Sequence, residues 1–216
     1  MNKKQEPERI EIGQWPFRIQ YPQKENQNRV MLLIHGHLGN ENAMWVLAKP
    51  LPKDYYLLAP RAPLKMGENQ YSWHEIASQW PKIKTYQDLA EQLITRVDHW
   101  IEEQNLDTDQ FDIMGFSQGA VMAYALAFFF TKRVRKVAAL AGFFPESWQK
   151  QLDLNSVAGK SFYIAHGTRD DIIPIEKAHQ AAKTFEAYGA DITFCEADIG
   201  HKLSTNCFKG LGQFFD

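Results

Sequence analysis

Ser117 stands between two glycines in the pentapeptide Gly115-Phe116-Ser117-Gln118-Gly119. The apolar run "FDIMGF" (111–116) precedes it, and a run that reads as a helix over 118–130 follows. A hydroxyl at such a strand-to-helix turn is placed to act as a nucleophile. The tight G-x-S-x-G turn throws it up at the sheet edge, and the helix N-terminus behind it supplies backbone N–H groups and positive dipole. The competing reading of the same residues is a helix N-cap serine in a glycine-tolerant turn.

A serine hydroxyl is a weak nucleophile without a base. In this strand–turn–helix setting an acid and then a histidine follow the serine along the chain. Three histidines lie downstream: His166, His179 and His201. His179 falls inside the helical pattern 175–188, at the edge of its apolar stripe. His166 closes a strand and precedes any suitable acid, so it reads as a buried, satisfied residue. His201 sits in "DIGHKLS", past the last strand and before the last helix, where a base belongs. The segment "HGTRDDIIP" follows the penultimate strand and offers two carboxylates, Asp170 and Asp171, to orient the imidazole.

Acyl transfer also needs donors for the tetrahedral oxygen. One is the backbone N–H of Gln118; the other should come from the loop in "LLIHGHLGNEN" (32–42), with His37 the choice and Leu38 the alternative. His35 and His37 form an H-x-H pair of a kind that can bind metal, but no third ligand is evident. No metal and no other cofactor is expected.

These residues must be held by a repeating frame. Strand patterns occur at 29–36, 55–60, 111–116, 134–143, 160–168 and 190–198, several apolar almost throughout, as strands covered on both faces are. Between them lie helical patterns. Residues 85–104 open with Thr85 and Asp88 at capping-box spacing and carry Leu89, Leu93, Val97, Trp100 and Ile101 on one stripe. Residues 175–188 put Ile175, Ala178, Ala182 and Phe185 on one face, with Gly189 as the C-terminal cap. "RIEIGQWPFRIQYP" near the N-terminus reads as an antiparallel hairpin. The fold class is therefore α/β: a mostly parallel sheet with helices on both faces, in which ligands bind beyond the carboxyl ends of the strands.

The 216 residues fit one domain over 1–216, with about 1–8 loose, and need no disulfide to hold a core. A net charge of −2 without a basic stripe excludes nucleic acid as the expected partner. Cys195 and Cys207 are the only cysteines, and a reducing cytoplasm with both as small apolar residues is the simpler expectation. The N-terminus lacks the apolar core of a signal peptide, and the longest apolar run, 120–130, is too short for a bilayer, which takes about 20 residues.

With these segments in place, the chain resembles the phospholipase/carboxylesterase family of small serine hydrolases, which includes acyl-protein thioesterases. The resemblance spans nearly the whole chain. It rests on "LLIHGHLGNEN", "LLAPRAPL" with "YSWHE", "GFSQGAVMA", "ALAGFFP", "HGTRDDIIP" and "GHKLS". It implies a compact α/β-hydrolase fold, ester or thioester substrates, whether small molecules, lipids or acylated proteins, and no metal. The 17 or so residues between "ALAGF" and "KSFYIAH" leave no room for a cap domain. The family pattern H-G-x-x-D counts from His166 to Asp170, and Asp171 occupies a position where relatives usually carry proline. Leu38, Tyr71, Trp73, Phe143 and Phe144 are candidates to line an open cleft. The rival function class is a receptor-like binding protein on a hydrolase fold, which an intact Ser117–Asp170–His201 set disfavours.

Overall fold

The computed structural model describes residues 6–76 and 81–216. A hairpin of β1 (Glu8–Ile12) and β2 (Trp15–Gln20) leads into β3 (Arg29–Ile34) and β4 (Tyr55–Pro60). A small ribbon, β5 (Leu64–Gly67) with β6 (Gln70–Ser72), precedes α1 (Ile83–Glu103). Then come β7 (Phe111–Phe116), α2 (Gln118–Phe129), β8 (Val134–Leu140), β9 (Ser161–Gly167), α3 (Ile175–Ala187), β10 (Asp191–Ala197) and α4 (Thr205–Phe215). The main sheet runs β1-β2-β4-β3-β7-β8-β9-β10. The hairpin is antiparallel and joins β4 antiparallel; from β4 to β10 every pairing is parallel.

Alternation along the strands divides the core in two. Val30, Leu32 and Ile34 of β3, with Ile113 of β7, face a layer built from α1, α2 and α3. Met31 and Leu33, with Met114, face the opposite layer, where Cys207, Leu211 and Phe215 of α4 pack beside Met44, Ala48 and Leu51. Both faces are dry, which is why these strands read as continuous apolar runs. The expected architecture, an α/β-hydrolase sheet with helices on both faces, is the one observed. The β8–β9 connection holds only two single 3-10 turns, Glu146–Trp148 and Leu154–Val157, and no cap.

Three expectations change. Helix α1 starts at Ile83, so Thr85 lies inside its first turn and caps nothing; Lys82 takes the cap position without a side-chain bond. The start moves because Tyr86 is a fully buried part of the stripe, packed edge-on against Trp148, and Asp88 instead pairs with Lys84. At the N-terminus, Glu8 already pairs with Ile19, so the ladder begins inside the stretch expected to be loose; residues 1–5 lie outside the described residues. The third change concerns the cysteines. They are not two separate thiols: Cys195 of β10 and Cys207 of α4 form a disulfide, because the turn between them brings their Cα atoms to 5.7 Å. No helix among the described residues is long and apolar enough to cross a membrane.

Candidate active site

The turn after β7 carries Ser117 at φ 54° and ψ −118°, a backbone region that side-chain-bearing residues avoid at about 1–3 kcal/mol. Its own N–H donates to the Leu140 carbonyl of β8, which holds the turn against the sheet. The flanking glycines are demanded by backbone approach. A Cβ on Gly115 would lie 2.1 Å from the Gly119 carbonyl oxygen, and one on Gly119 would lie 2.1 Å from that of Ile34. Any side chain at either position would push α2 away from β7 or β3. As the first residue of α2, Gln118 has a backbone N–H with no intrahelical carbonyl to bind.

His201 lies in the loop between β10 and α4. Its Nδ1 is 2.7 Å from Oδ2 of Asp170, in the loop after β9. Oδ1 of Asp170 accepts from the N–H groups of Ile172 (3.0 Å) and Ile173 (2.9 Å). Burial pushes this carboxyl up, but the Ile173 N–H, the His201 ring and the Ile172 N–H together outweigh it and hold the group below the ordinary carboxylate value. Asp171 is exposed. The two loops are tied together: Thr168 N–H donates to Ala197 O and Arg169 N–H to Ile199 O. The Phe116 ring stands edge-on to the His201 imidazole at 5.1 Å.

Ser117, Gln118, His37, Leu38 and His201 line one cavity of about 1060 Å³ beyond the carboxyl ends of the strands. Its remaining walls are mostly apolar, including Met44, Leu47, Val121, Phe143, Ile173 and Leu203. Leu38, Val46, Ile76 and Ile172 stay 43–66% exposed at its mouth. Apolar side chains gathered this way, rather than scattered, mark a binding surface. Among the described residues its ionisable groups are His37, His74, His201 and Lys202, with no carboxylate.

The cavity wall beside Ser117 is braced by one side chain that sequence reasoning used only for its backbone. Gln118 Oε1 accepts from Trp73 N–H (2.8 Å), and its Nε2 donates to Ser72 Oγ (3.0 Å) and His74 O (3.2 Å). This clamps the end of β6 to the head of α2. His37 Nδ1 lies 3.0 Å from Ser72 Oγ. Burial, then the neighbouring His74, hold His37 below the ordinary histidine value; burial lowers His74 as well. His35 faces inward. Its Nε2 accepts from Ala62 N–H (2.9 Å) and its Nδ1 meets the Gly36 carbonyl (2.7 Å), so the H-x-H pair is tied to different partners. Burial pushes His35 down to about 4, although the Gly36 carbonyl opposes this.

The profile of the phospholipase/carboxylesterase family matches residues 16–216. The chain belongs to that family. Membership makes it a hydrolase of the esterase type. The protein MhqD of Bacillus subtilis (strain 168) is 24% identical over 192 residues, covering 84% of this chain and 90% of that one. A carboxylesterase from Bacillus cereus superposes with a TM-score of 0.82 at 21% identity, covering 94% of each chain. One from Mesorhizobium loti gives 0.82 at 19%, covering 96% of this chain and 97% of the other. SOBER1 of Arabidopsis thaliana gives 0.72 at 19%, covering 87% and 97%. At these identities the superpositions speak for the fold.

Of the five proposed cleft residues, Leu38 and Phe143 line the cavity and three do not. Trp73 is core, its ring N–H donating to His35 O. Phe144 packs among Tyr124, Phe128 and Phe185. Tyr71 supports the His37–Gly39 loop from behind: its N–H donates to Gly39 O, and Arg61 lies over its ring. The aliphatic wall of Ala43, Met44, Val46, Leu47, Ile76, Ile172 and Leu203 was not anticipated. Its one sequence signal is apolar residues in stretches outside the strand and helix patterns. His179 pairs with Glu196 on the surface, away from the cavity lining.

Proposed function

We propose that the protein hydrolyses carboxylic esters or thioesters of apolar acyl groups through an acyl-enzyme on Ser117. His201 accepts the Ser117 proton as the hydroxyl oxygen attacks the acyl carbon, and returns it to the departing alcohol or thiol. Asp170 holds the imidazole with Nδ1 protonated, which leaves Nε2 as the base, and stabilises the imidazolium that forms. The N–H groups of Gln118 and His37 receive the tetrahedral oxygen. Water, activated by the same imidazole, then releases the acid. The acyl chain lies along the wall formed by Leu38, Met44, Leu47 and Phe143.

One observation carries the reading. A serine held at positive φ on a helix N-terminus shares a largely apolar cavity with a histidine whose other nitrogen is bound to a buried carboxylate. A ligand-binding role alone gives no reason for that strain or for an imidazole oriented by a carboxylate. The test is covalent labelling with a fluorophosphonate probe, followed by peptide mapping. Stoichiometric modification of Ser117, lost with ester hydrolysis in Ser117→Ala, is the expected result. A folded Ser117→Ala protein that still labels stoichiometrically overturns the assignment.

A further inference from the structure

His166, at the end of β9, takes no part in the chemistry above, yet it lies directly beneath the acid. Its side chain is fully buried. Its Nε2 is 2.8 Å from the carbonyl oxygen of Ile173, so that nitrogen carries the proton and donates. The same Nε2 is 3.2 Å from Oδ2 of Asp170, the oxygen that binds His201 at 2.7 Å. Its other nitrogen, Nδ1, is buried with no hydrogen-bond partner.

An unpaired polar atom in a dry site costs about 1–3 kcal/mol. A core position with only a packing duty would be served better by an aliphatic residue of similar size. The one polar service His166 performs is on the acid's loop. It ties down the carbonyl of Ile173, the residue whose own N–H binds Oδ1 of Asp170. It also presents a second N–H dipole beside Oδ2. The carboxylate is thus bracketed: backbone N–H groups fix one oxygen, and two imidazoles flank the other.

We propose that His166 is the positioning residue of the acid–base pair, fixing the Asp170–Ile173 turn so that Oδ2 meets His201 Nδ1 in a single orientation. The proposal rests on the hydrolytic reading above and adds a member that touches neither substrate nor reacting atoms.

The test replaces His166 by Leu, Gln and Asn, and compares kcat, KM and thermal midpoint on one activated ester. Gln can carry an amide N–H to the place of Nε2, whereas Leu offers no donor and Asn is one bond too short. The expected result for His166→Leu is a kcat lower by about tenfold or more, KM within about twofold and a midpoint close to wild type, because the loss of the orphaned nitrogen offsets the Ile173 carbonyl left without its donor. His166→Gln should recover most of kcat, and His166→Asn should not. If Leu does not fold, the Gln-against-Asn contrast carries the same decision. Equal kcat in wild type and Leu, or equal losses in Gln and Asn, overturns the proposal. Asp170→Asn assayed alongside separates the two ideas. Loss there with none in His166→Leu sinks the positioning role alone. Full activity in both removes the mechanism, and the role with it.

Discussion

Replacing Asp170 by Asn is the sharpest probe of the site, because the structure dictates which way the amide must face. In wild type, Oδ1 accepts two backbone N–H bonds, from Ile172 and Ile173, while Oδ2 faces His201 Nδ1. An asparagine with its NH2 at the Oδ1 position would point donors at two donors, and each stranded N–H costs about 1–3 kcal/mol. The amide oxygen therefore stays at Oδ1 and the NH2 group turns to His201, meeting there only the single His166 N–H, which is already bound to the Ile173 carbonyl. The His201 imidazole meets the NH2 group by accepting at Nδ1 and carrying its proton on Nε2. That is the wrong tautomer for a base toward Ser117. The fold survives and the chemistry does not.

In a serine protease triad this exchange lowers kcat by about ten-thousandfold, or about 5 kcal/mol of barrier, and Asp170→Asn should lower it by up to that much. Asp171 is exposed and, among the described contacts, binds neither His201 nor the loop's N–H groups. Asp171→Asn should change the rate by less than about tenfold, near the small effect of an exposed charge. The assay is kcat on one p-nitrophenyl ester for both variants, with circular dichroism to establish folding. A larger loss in Asp171→Asn, or a loss under about tenfold in Asp170→Asn, would refute the reasoning.

Other expectations follow from single features. His35 is held down to about 4 by burial, against an ordinary value of about 6.5 when unfolded, so the unfolded chain takes up a proton that the native state refuses. Its contribution is complete above about pH 6.5 and shrinks as pH falls toward 4. His35→Gln should therefore lose about 2.5 kcal/mol less stability than wild type between pH 7 and 4.5, read by urea unfolding; parallel curves would contradict the assignment. The lowered Asp170 carboxyl acts at still lower pH, its contribution being present above about pH 4 and lost as acid protonates it in the folded state. Reducing Cys195–Cys207, which closes a 12-residue separation, should cost about 3 kcal/mol on the chain-entropy account, measured as a fall in thermal midpoint with dithiothreitol; an unchanged midpoint refutes it. Each CH2 added to the acyl chain should gain about 0.8 kcal/mol until the cavity is filled. Val46→Asp and Ile172→Asp should weaken that dependence while sparing the acetyl ester, and equal losses on short and long esters would show that these side chains do not meet the chain.

Residues held by a backbone constraint were readable in the sequence, and those defined by which way a side chain faces were not. Gly115 and Gly119 were visible as a pair because no other residue fits where α2 crosses β7 and β3 within 2.1 Å of a built Cβ. The strand ends followed from runs buried on both faces, and each strand end names the loop that can reach the cavity. Trp73 and Phe144 were misplaced because an aromatic residue beside a site is equally at home behind it. What decides is a partner distant in sequence, His35 for one and Phe185 for the other. The disulfide escaped for the same reason, since nothing local in β10 or α4 tells that the two elements lie side by side.

His166 shows the limit most clearly. Its place before the acid in the chain rules it out as the base, and that inference leads directly to calling it an ordinary core histidine. The inference concerns proton transfer alone and says nothing about the positioning role proposed above. A residue four places before the acid, at the end of the strand whose loop carries that acid, is well placed to reach under the turn and grip it. Chain order limits which residues can exchange protons with the serine. It does not limit which ones hold the acid still, and only the buried, half-paired imidazole reveals that second kind of work.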